Sequence, residues 1–365
     1  MSGNIFGSVF RVSTFGESHG AALGCIIDGC PSGLSVDEAR IQAALDRRRP
    51  GARDSSGNSN PAATSRNEPD RVEVLSGIKD GVTEGTPVAL VIRNTSQHSA
   101  DYSNLAETFR PGHADFTYDA KYGFRDYRGG GRSSGRETAA RVAAGAVASV
   151  LLEKYGIKAT AYTVRAAGVD CGERDFSQID MNMMRAPSAS AAGLMLAAVE
   201  KLRLEGDSAG GIVECTVSGV PAGLGEPVFD KLDAELAKAV MSVGAVKGIE
   251  FGDGFASADS RGSQNNDCMR AEGGNPVFLS NHSGGILGGI SNGNTIVFRA
   301  AVKPVPSIFK SQRTVRRTGG EYLDADLEIK GRHDVCLCPR IVPVIEAMAN
   351  LVLADMLLRS RCARA

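Results

Sequence analysis

The chain has 365 residues, and its 41 Lys and Arg balance 42 Asp and Glu, which gives a formal net charge of −1. This balance argues against a nucleic-acid binder that relies on bulk positive charge, and the length allows one large domain or two moderate ones. The N-terminus lacks the pattern of a secretory signal, and no apolar run approaches a membrane span of about 20 residues. We therefore predict a cytoplasmic protein with no membrane segment.

Two features of the composition point to an anionic ligand. Glycine accounts for 44 residues, and the basic residues divide into 30 Arg and 11 Lys. Arginine is the residue suited to bidentate recognition of carboxylate and phosphate. A GC-rich coding sequence would also favour both residue types. The positions of the arginines in the sequence therefore have to distinguish an anionic ligand from codon usage. The eight cysteines contain no CxxC pair and no Cys/His cluster, which favours reduced thiols and no metal site.

The first elements in the chain form a strand, a turn and a helix. Residues 21–28 form an apolar run that predicts a buried strand. Ser35 is the predicted N-cap of the following helix, Glu38 completes a capping box, and Pro50 ends the helix. Residues 51–69 are rich in Gly, Ser, Asn and Pro without periodicity, which predicts a mobile surface loop.

The chain repeats parts of its own sequence. The pattern G-x-P-x-G-L occurs at 29–34 and 219–224, and G-I-x-x-G-x-x-x-G occurs at 77–85 and 285–293, in the same order. We therefore predict a single internally duplicated unit over residues 1–365, with two pseudo-symmetric halves of α+β class. No G-x-G-x-x-G follows the first strand, which argues against a Rossmann fold. The other predicted strands are 72–75, 88–93 and 211–218, and the other predicted helices are 137–155, 188–205, 229–242 and 341–361.

A histidine in an open turn is the first candidate for proton chemistry. His19 lies between small residues at 16–20, and histidine can donate a proton near neutral pH. The alternative is that this histidine only caps the turn.

A glycine-rich loop is the first candidate for anion binding. Three glycines at 129–131 are followed by Arg132, Ser133, Ser134 and the start of a helix at Glu137. Free backbone N–H groups at a helix N-terminus favour an anion. The Gly-Lys-Ser/Thr ending of an ATP-binding loop is missing, and a flexible linker is the alternative interpretation.

Three further segments carry charge in turns. Arg332 and Asp334 precede the last helix. The carboxylate of Asp334 could handle a proton, and a simple salt bridge between the two residues is the alternative. Residues 303–307 form a stiff Pro-x-Pro turn with a Lys and a Ser, which suits a phosphate. The Arg triplet at 47–49 ends a helix, where cations also complement the helix dipole.

Together these motifs resemble one family, the chorismate synthases. The family's three marker segments resemble residues 16–20 with their flanks, 129–144, and 332–336 with the helix that follows. The resemblance extends from about residue 4 to about residue 361 and includes GVPAGLGEPVFDKLDAELA and AVKGIEFGDGF. It implies a β-α-β sandwich with antiparallel sheets, helical layers and internal duplication, assembled as a homotetramer.

The resemblance also implies an activity. The family eliminates phosphate and one C6 hydrogen from 5-enolpyruvylshikimate 3-phosphate to give chorismate, the last common step of aromatic amino acid biosynthesis. The reaction needs reduced FMN although it involves no net oxidation. The chain has no added reductase segment, so an external flavin reductase is the expected electron source. A phosphotransferase that binds its ligand through the glycine loop is the alternative function.

The resemblance assigns roles residue by residue. His19 would protonate the departing phosphate, His113 would maintain the protonation of the reduced flavin, and Asp334 would assist removal of the C6 proton. The implied substrate-binding residues are Ser18, Arg48, Arg110, Arg136 and Arg332. The implied FMN-binding residues are Arg132, Ser133, Ser134, Gly244, Ala245, Gly288, Lys303, Pro304, Val305, Pro306, Ser307 and Arg332.

The chain departs from the family pattern in two places. The loop after Pro50 is several residues longer than is usual. Relatives carry another arginine there, close to the substrate or to an NADP nucleotide, and Arg53 or Arg66 would fill that place. Gly135 stands where alanine is usual.

Overall fold

Two five-stranded antiparallel sheets enclose a layer of helices. The computed structural model describes residues 3–50, 60–64, 68–95, 105–329, 331 and 333–364. With the strands numbered along the chain, the first sheet consists of β1 (Ile5–Phe6), β2 (Arg11–Gly16), β3 (Ala22–Asp28), β4 (Val72–Ser76) and β7 (Val88–Arg93). The second consists of β8 (Lys158–Ala166), β9 (Val169–Asp170), β10 (Gly211–Ser218), β11 (Val246–Phe251) and β16 (Ile296–Val302). The strand order is β1-β2-β3-β7-β4 in the first sheet and β11-β16-β10-β8-β9 in the second.

Four hairpins, seven α-helices and four short 3₁₀ helices complete the described elements. The hairpins are β5 (Ile78–Lys79) with β6 (Val82–Thr83), β12 (Met269–Glu272) with β13 (Asn275–Phe278), β14 (Ile286–Leu287) with β15 (Ile290–Ser291), and β17 (Gln312–Thr318) with β18 (Glu321–Leu327). The helices are α1 (Glu38–Arg48), α2 (Asp115–Tyr122), α3 (Thr138–Glu153), α4 (Ala189–Leu204), α5 (Leu232–Met241), α6 (Gly262–Asn265) and α7 (Cys338–Ser360). Mixed helices and antiparallel sheets confirm the predicted α+β class.

Helices α3 and α7 form the centre of the core. Helix α3 packs on β2, β3 and β7 of the first sheet, α7 packs on β8 and β10 of the second, and the two helices pack on each other. By length and composition α7 could cross a membrane, which differs from our expectation that no apolar run would approach that length. In the fold, however, 89% of its most apolar window is buried inside the protein, as in the core helix of a soluble domain.

The two segments with the G-x-P-x-G-L pattern make the same hydrogen bonds. At the first segment, Thr83 Oγ1 accepts from Leu34 N at 2.9 Å and donates to Pro31 O at 2.7 Å. At the second segment, Ser291 Oγ accepts from Leu224 N at 2.9 Å and donates to Pro221 O at 2.6 Å. A hydroxyl on each short hairpin therefore fastens the turn after each sheet's middle strand, β3 or β10, in the same way.

The contact between α3 and α7 depends on a glycine. A Cβ placed on Gly145 would lie 2.5 Å from Ala347 Cβ and 3.0 Å from Ala347 O, closer than real Cβ contacts. We expect Gly145→Ala to lower the free energy of unfolding by about 1–3 kcal/mol, because α7 must shift to admit the methyl group. Gly193→Ala in α4 is the matched control, since its Cβ meets no described atom within 4 Å; it should stabilise by about 0.5–1 kcal/mol. Urea denaturation of both variants measures this, and equal midpoints would contradict it.

Candidate active site

The glycine loop lies between two histidines. Gly129, Gly130 and Gly131 have φ values of 65°, 96° and 54°, which residues with a Cβ rarely adopt. A Cβ on Gly129 would lie 2.2 Å from His19 Cε1, and a Cβ on Gly130 would lie 3.0 Å from His113 Cε1. The loop thus brings together two segments that are more than 90 residues apart in sequence, and only glycine allows this close approach.

His19 is held in the turn between β2 and β3. The residue is buried, and its Nδ1 lies 3.1 Å from Ser18 Oγ. The turn is fixed by Asn94, whose Nδ2 donates to Glu17 O at 2.9 Å and to Gly20 O at 2.8 Å. Ser18 and His19 therefore present one hydroxyl and one imidazole to the glycine loop.

His113 is held by a carboxylate that also pairs with arginine. Its Nδ1 lies 2.9 Å from Asp115 Oδ1, and Arg110 donates to the same carboxylate from Nε at 2.7 Å and from Nη2 at 2.8 Å. Burial alone would raise the pKa of Asp115, but hydrogen bonds from Arg110 and His113 outweigh burial and hold this pKa far below its usual range. Arg110 is thus already paired with a carboxylate.

A buried arginine cluster lies at the downstream end of the glycine loop. Arg48 is 1% exposed and donates from Nη1 to Asp70 Oδ2 at 2.8 Å, and Arg136 donates from Nη1 to Asp70 Oδ1 at 2.6 Å. Burial, together with the charges of Arg340 and Arg136, lowers the pKa of Arg48 to about 10, although Asp70 opposes this shift. Arg48 therefore faces the interior, and its role is more than capping the dipole of α1.

Asp334 joins this cluster through Arg340. Its Oδ2 accepts from Arg340 Nη1 at 2.6 Å and its Oδ1 accepts from Thr64 N at 2.8 Å. Residues 60–64 are packed against the chain at 334–336, since Ala62 O accepts from the backbone N–H groups of Val335 and Cys336. Arg332, Arg53 and Arg66, and most of the loop predicted to be mobile at 51–69, lie outside the described residues.

The 303–307 segment lies beside the loop that carries His113. Lys303 Nζ donates to Gly112 O at 2.6 Å, and a Cβ on Gly112 would lie 3.4 Å from Pro306 Cβ. The backbone N–H of Lys303 donates to Ala245 O at 2.9 Å, so residues 244–245 adjoin the same segment. Three stretches that are distant in sequence therefore meet at one place.

Other predicted residues have local partners. Arg132 donates to Gly16 O at 3.0 Å and to Thr14 Oγ1 at 2.8 Å, which ties the glycine loop to β2. Ser133 Oγ donates to Gly130 O at 2.7 Å, and Ser134 Oγ accepts from the N–H of Arg136 at 3.4 Å. Gly288 lies in the turn between β14 and β15, and the neighbouring Gly289 O accepts from Leu232 N at 2.8 Å. The described contacts therefore place Gly288 beside α5.

Sequence reasoning missed three residues that organise the site. Asp70, Asp115 and Arg340 each pair with a predicted site residue. Asp115 follows His113 by two positions, so its place in the Pro-Gly-His-Ala-Asp segment could have identified it from the sequence as a site residue. Asp70 gave no such signal, because its partners Arg48 and Arg136 belong to other elements. Arg340 follows Asp334 by six positions, so its nearness in sequence was also a usable signal.

The site has donors and space for anions. Arg136 Nη2 and Arg340 Nε are buried and have no hydrogen-bond partner among the described residues, and Glu68 Oε2 lies 3.8 Å from the former. Two cavities lie next to the glycine loop: one of about 350 Å³ is lined by residues that include Arg110 and His113, and one of about 860 Å³ by residues that include 130–133. Within the described part of the chain, no group of three or more His, Cys, Asp or Glu could hold a metal ion.

Comparisons with known proteins show the family to which this chain is similar. A sequence model of the chorismate synthase family matches residues 10–358. Relatives named chorismate synthase include one from Oleidesulfovibrio alaskensis, 55% identical over 99% of this chain and 98% of its own length. Another, from Syntrophobacter fumaroxidans, is 57% identical over 98% of each chain.

The structural comparison gives the same result. A solved structure described as a crystal structure of chorismate synthase matches with a TM-score of 0.75 and 31% identity, over 97% of this chain and 93% of that chain. The phosphotransferase alternative is not favoured by any of these matches. The chain therefore belongs to the chorismate synthase family, and it is a lyase that eliminates phosphate from 5-enolpyruvylshikimate 3-phosphate to form chorismate.

Proposed function

We propose that this lyase works with reduced FMN in a site built around the glycine loop, with His19, His113 and Asp334 managing protons. The observation that carries the proposal is the position of the loop. Its first two glycines contact the two histidines, and its downstream end leads into the Arg48–Asp70–Arg136 cluster.

The donor set fits the substrate. The substrate carries two carboxylates and a phosphate, and such anions need guanidinium and backbone N–H donors. Among the described residues, Arg48, Arg136 and Arg340 donate hydrogen bonds to two carboxylates, Asp70 and Asp334, and Glu68 lies 3.8 Å from Arg136. Arg136 Nη2 and Arg340 Nε are buried without a hydrogen bond among those residues. An anion in the cluster would satisfy those donors. On the family resemblance, we assign substrate binding to Ser18, Arg48, Arg110, Arg136 and Arg332.

The residues also fit FMN. Lys303 supplies a cation next to Gly112, and no described atom outside its neighbours lies within 4 Å of a Cβ on Gly244, which leaves space for a ligand. We assign FMN binding to Arg132, Ser133, Ser134, Gly244, Ala245, Gly288, Arg332 and the segment Lys303, Pro304, Val305, Pro306 and Ser307. When bound, reduced FMN would supply electron density that helps the phosphate leave and regain it as the C6 hydrogen departs.

The protein's own groups handle the protons. His19, buried beside Ser18, would give a proton to the phosphate oxygen as the C–O bond breaks. Asp334 is oriented by Arg340 and by the N–H of Thr64, and it would assist removal of the C6 proton. His113 would maintain the protonation of the reduced flavin.

We further propose the setting in which the enzyme works. The family resemblance supports a homotetramer in the cytoplasm that receives reduced FMN from an external flavin reductase. The single duplicated unit over residues 1–365 and the contact of Arg53 or Arg66 with substrate or NADP are proposals on the same basis.

An anaerobic turnover assay tests the proposal. The full chain receives 5-enolpyruvylshikimate 3-phosphate with chemically reduced FMN, and chorismate is followed by absorbance. A second cuvette contains oxidised FMN and NADPH instead. We expect product only with reduced FMN. Product in both would show an intrinsic reductase, and no product in either from folded protein would overturn the cofactor assignment.

A further inference from the structure

We propose that Asp115 is a positioning residue that fixes His113 with a proton on Nδ1, so that Nε2 is the nitrogen that exchanges protons in the site. The inference rests on the proposed function only for the use of that nitrogen. The orientation of the ring stands on geometry alone.

Asp115 is the shared partner of three cationic or titratable side chains. It lies in the first turn of α2, is buried, and accepts from Arg110 through both oxygens and also from the Arg110 backbone N–H at 3.1 Å. Arg125 Nη1 lies 3.5 Å from its Oδ1. His113 Nδ1 completes the set at 2.9 Å. The Asp115 carboxylate thus positions both Arg110, a candidate for substrate binding, and His113, a candidate for catalysis.

The charge of Asp115 decides the direction of its hydrogen bond to His113. Two arginines and a backbone N–H surround the carboxylate, and the depressed pKa of Asp115 keeps it ionised at working pH. An ionised carboxylate accepts hydrogen bonds and donates none. The hydrogen in this bond therefore lies on Nδ1 of His113, and whenever the ring is neutral its lone pair is on Nε2.

Nε2 of His113, the ring nitrogen that does not contact Asp115, faces the glycine loop. A Cβ on Gly130 would lie 3.0 Å from Cε1 and 3.4 Å from Nε2 of His113, so the Cε1–Nε2 edge of the ring is turned toward that loop. In water a neutral imidazole favours the proton on Nε2. Without Asp115, the ring would revert toward that form and would present a donor where the site has an acceptor.

The experiment reads the tautomer directly, without cofactor or substrate. Solid-state ¹⁵N NMR of the full chain labelled with [¹⁵N]histidine, at a pH where imidazoles are neutral, gives separate signals for protonated and bare ring nitrogens. His113→Gln assigns the His113 signals among the five histidines. We expect a protonated Nδ1 and a bare Nε2 in the unsubstituted protein. In Asp115→Asn, we expect most of the population to move to the Nε2–H form and turnover to fall by about 10- to 100-fold.

Matched variants separate positioning from general structure. Asp119→Asn removes a carboxylate from the same helix, where Asp119 Oδ2 pairs with Arg317 at 2.9 Å, and should leave both His113 and turnover unchanged. Asp253→Asn should change only His282, whose Nδ1 lies 2.7 Å from Asp253 Oδ2. Asp115→Glu should restore part of the Nδ1–H signal and of the turnover.

Two results would overturn the inference: an Nε2–H ring in the unsubstituted protein, or an unchanged tautomer in Asp115→Asn. The first needs no variant, so it remains decisive even if Asp115→Asn does not fold. A correct tautomer in a protein that makes no chorismate with reduced FMN would instead refute the proposed function and leave the inference intact.

Discussion

Replacing Asp70 by asparagine is expected to lower the free energy of unfolding by about 3–5 kcal/mol, because it removes the carboxylate from a buried ion-pair group. Asp70 is 0% exposed and lies between the guanidinium groups of Arg48 and Arg136. The neutral amide would leave Arg48 without its close buried counter-charge and Arg136 with the more distant Glu68, whose Oε2 lies 3.8 Å from Nη2. Denaturation in guanidinium chloride, followed by circular dichroism, measures the loss.

The pH dependence gives a second check on Asp70. Burial would raise the pKa of Asp70, but Arg48 and Arg136 outweigh it and lower that pKa below its unfolded value, which is about 3.9. A depressed pKa stabilises the fold above the unfolded value, and the stabilisation is lost as the pH falls through the folded value. The difference between the parent and Asp70→Asn should therefore be constant from about pH 5 to pH 8 and shrink below about pH 4.

An exposed ion pair supplies the control for Asp70. Asp28 pairs with Arg11 on the first sheet, and both side chains are about half exposed. Asp28→Asn should cost less than about 1 kcal/mol, because water solvates both charges. Equal losses for Asp28→Asn and Asp70→Asn would show that the buried group has no special role.

His19→Ala is expected to lower kcat by about 100- to 10,000-fold, the contribution of a positioned proton donor. The imidazole lies against Gly129 and beside Ser18, where the proposed phosphate would leave. The anaerobic assay with chemically reduced FMN measures kcat. The control is His282→Ala, because His282 pairs with Asp253 outside the proposed site. A His19→Ala enzyme with near-normal kcat would remove His19 from the mechanism.

Gly129→Ala tests the same geometry without removing the imidazole. The added methyl group would occupy space 2.2 Å from His19 Cε1, so the ring must move and turnover should drop. Gly123→Ala is the matched control, since Gly123 has φ 71° against 65° at Gly129, but its Cβ meets no described atom within 4 Å. Similar backbone strain is then common to both variants. If both lose the same activity, strain and not the His19 contact is the cause.

Periodicity and turn chemistry were sufficient to predict much of the fold. The strands at 88–93 and 211–218 have the predicted bounds, and Ser188 caps α4 as the N-cap of the helix predicted there. The N-cap of α1 differs, because the side chain of Asp37 accepts from Arg40 N while Ser35 forms a bridge with Val82. Val82, the partner of Ser35, belongs to the β5–β6 hairpin, so the sequence around Ser35 does not reveal this contact.

Strand β8 shows where pattern reasoning failed. No strand was predicted at 158–166, because polar residues occupy positions that are fully buried in the second sheet. Tyr162 OH donates to Glu214 Oε1 at 2.6 Å, and Glu214 also pairs with Arg174 and Arg299. The hydrogen bond and the ion pairs offset the cost of burying Tyr162 and Glu214. The residues that form them lie far apart in sequence and come together only in the tertiary fold.

The candidate site was predictable to a similar degree. The histidines and the glycine loop were identified because they are unusual residues at close spacing. Asp70 was not, since its importance arises from being enclosed by arginines of α1 and of the turn before α3.

The position of α7 has a consequence for synthesis of the protein. This last long helix lies at the centre of the core, and its Asp355 accepts the backbone N–H groups of Ser8, Val9 and Phe10 from the beginning of the chain. The core cannot close before α7 is available, because this helix covers apolar faces of both sheets. Until then the chain exposes apolar surface, and such partly folded states are prone to aggregate and are shielded by chaperones.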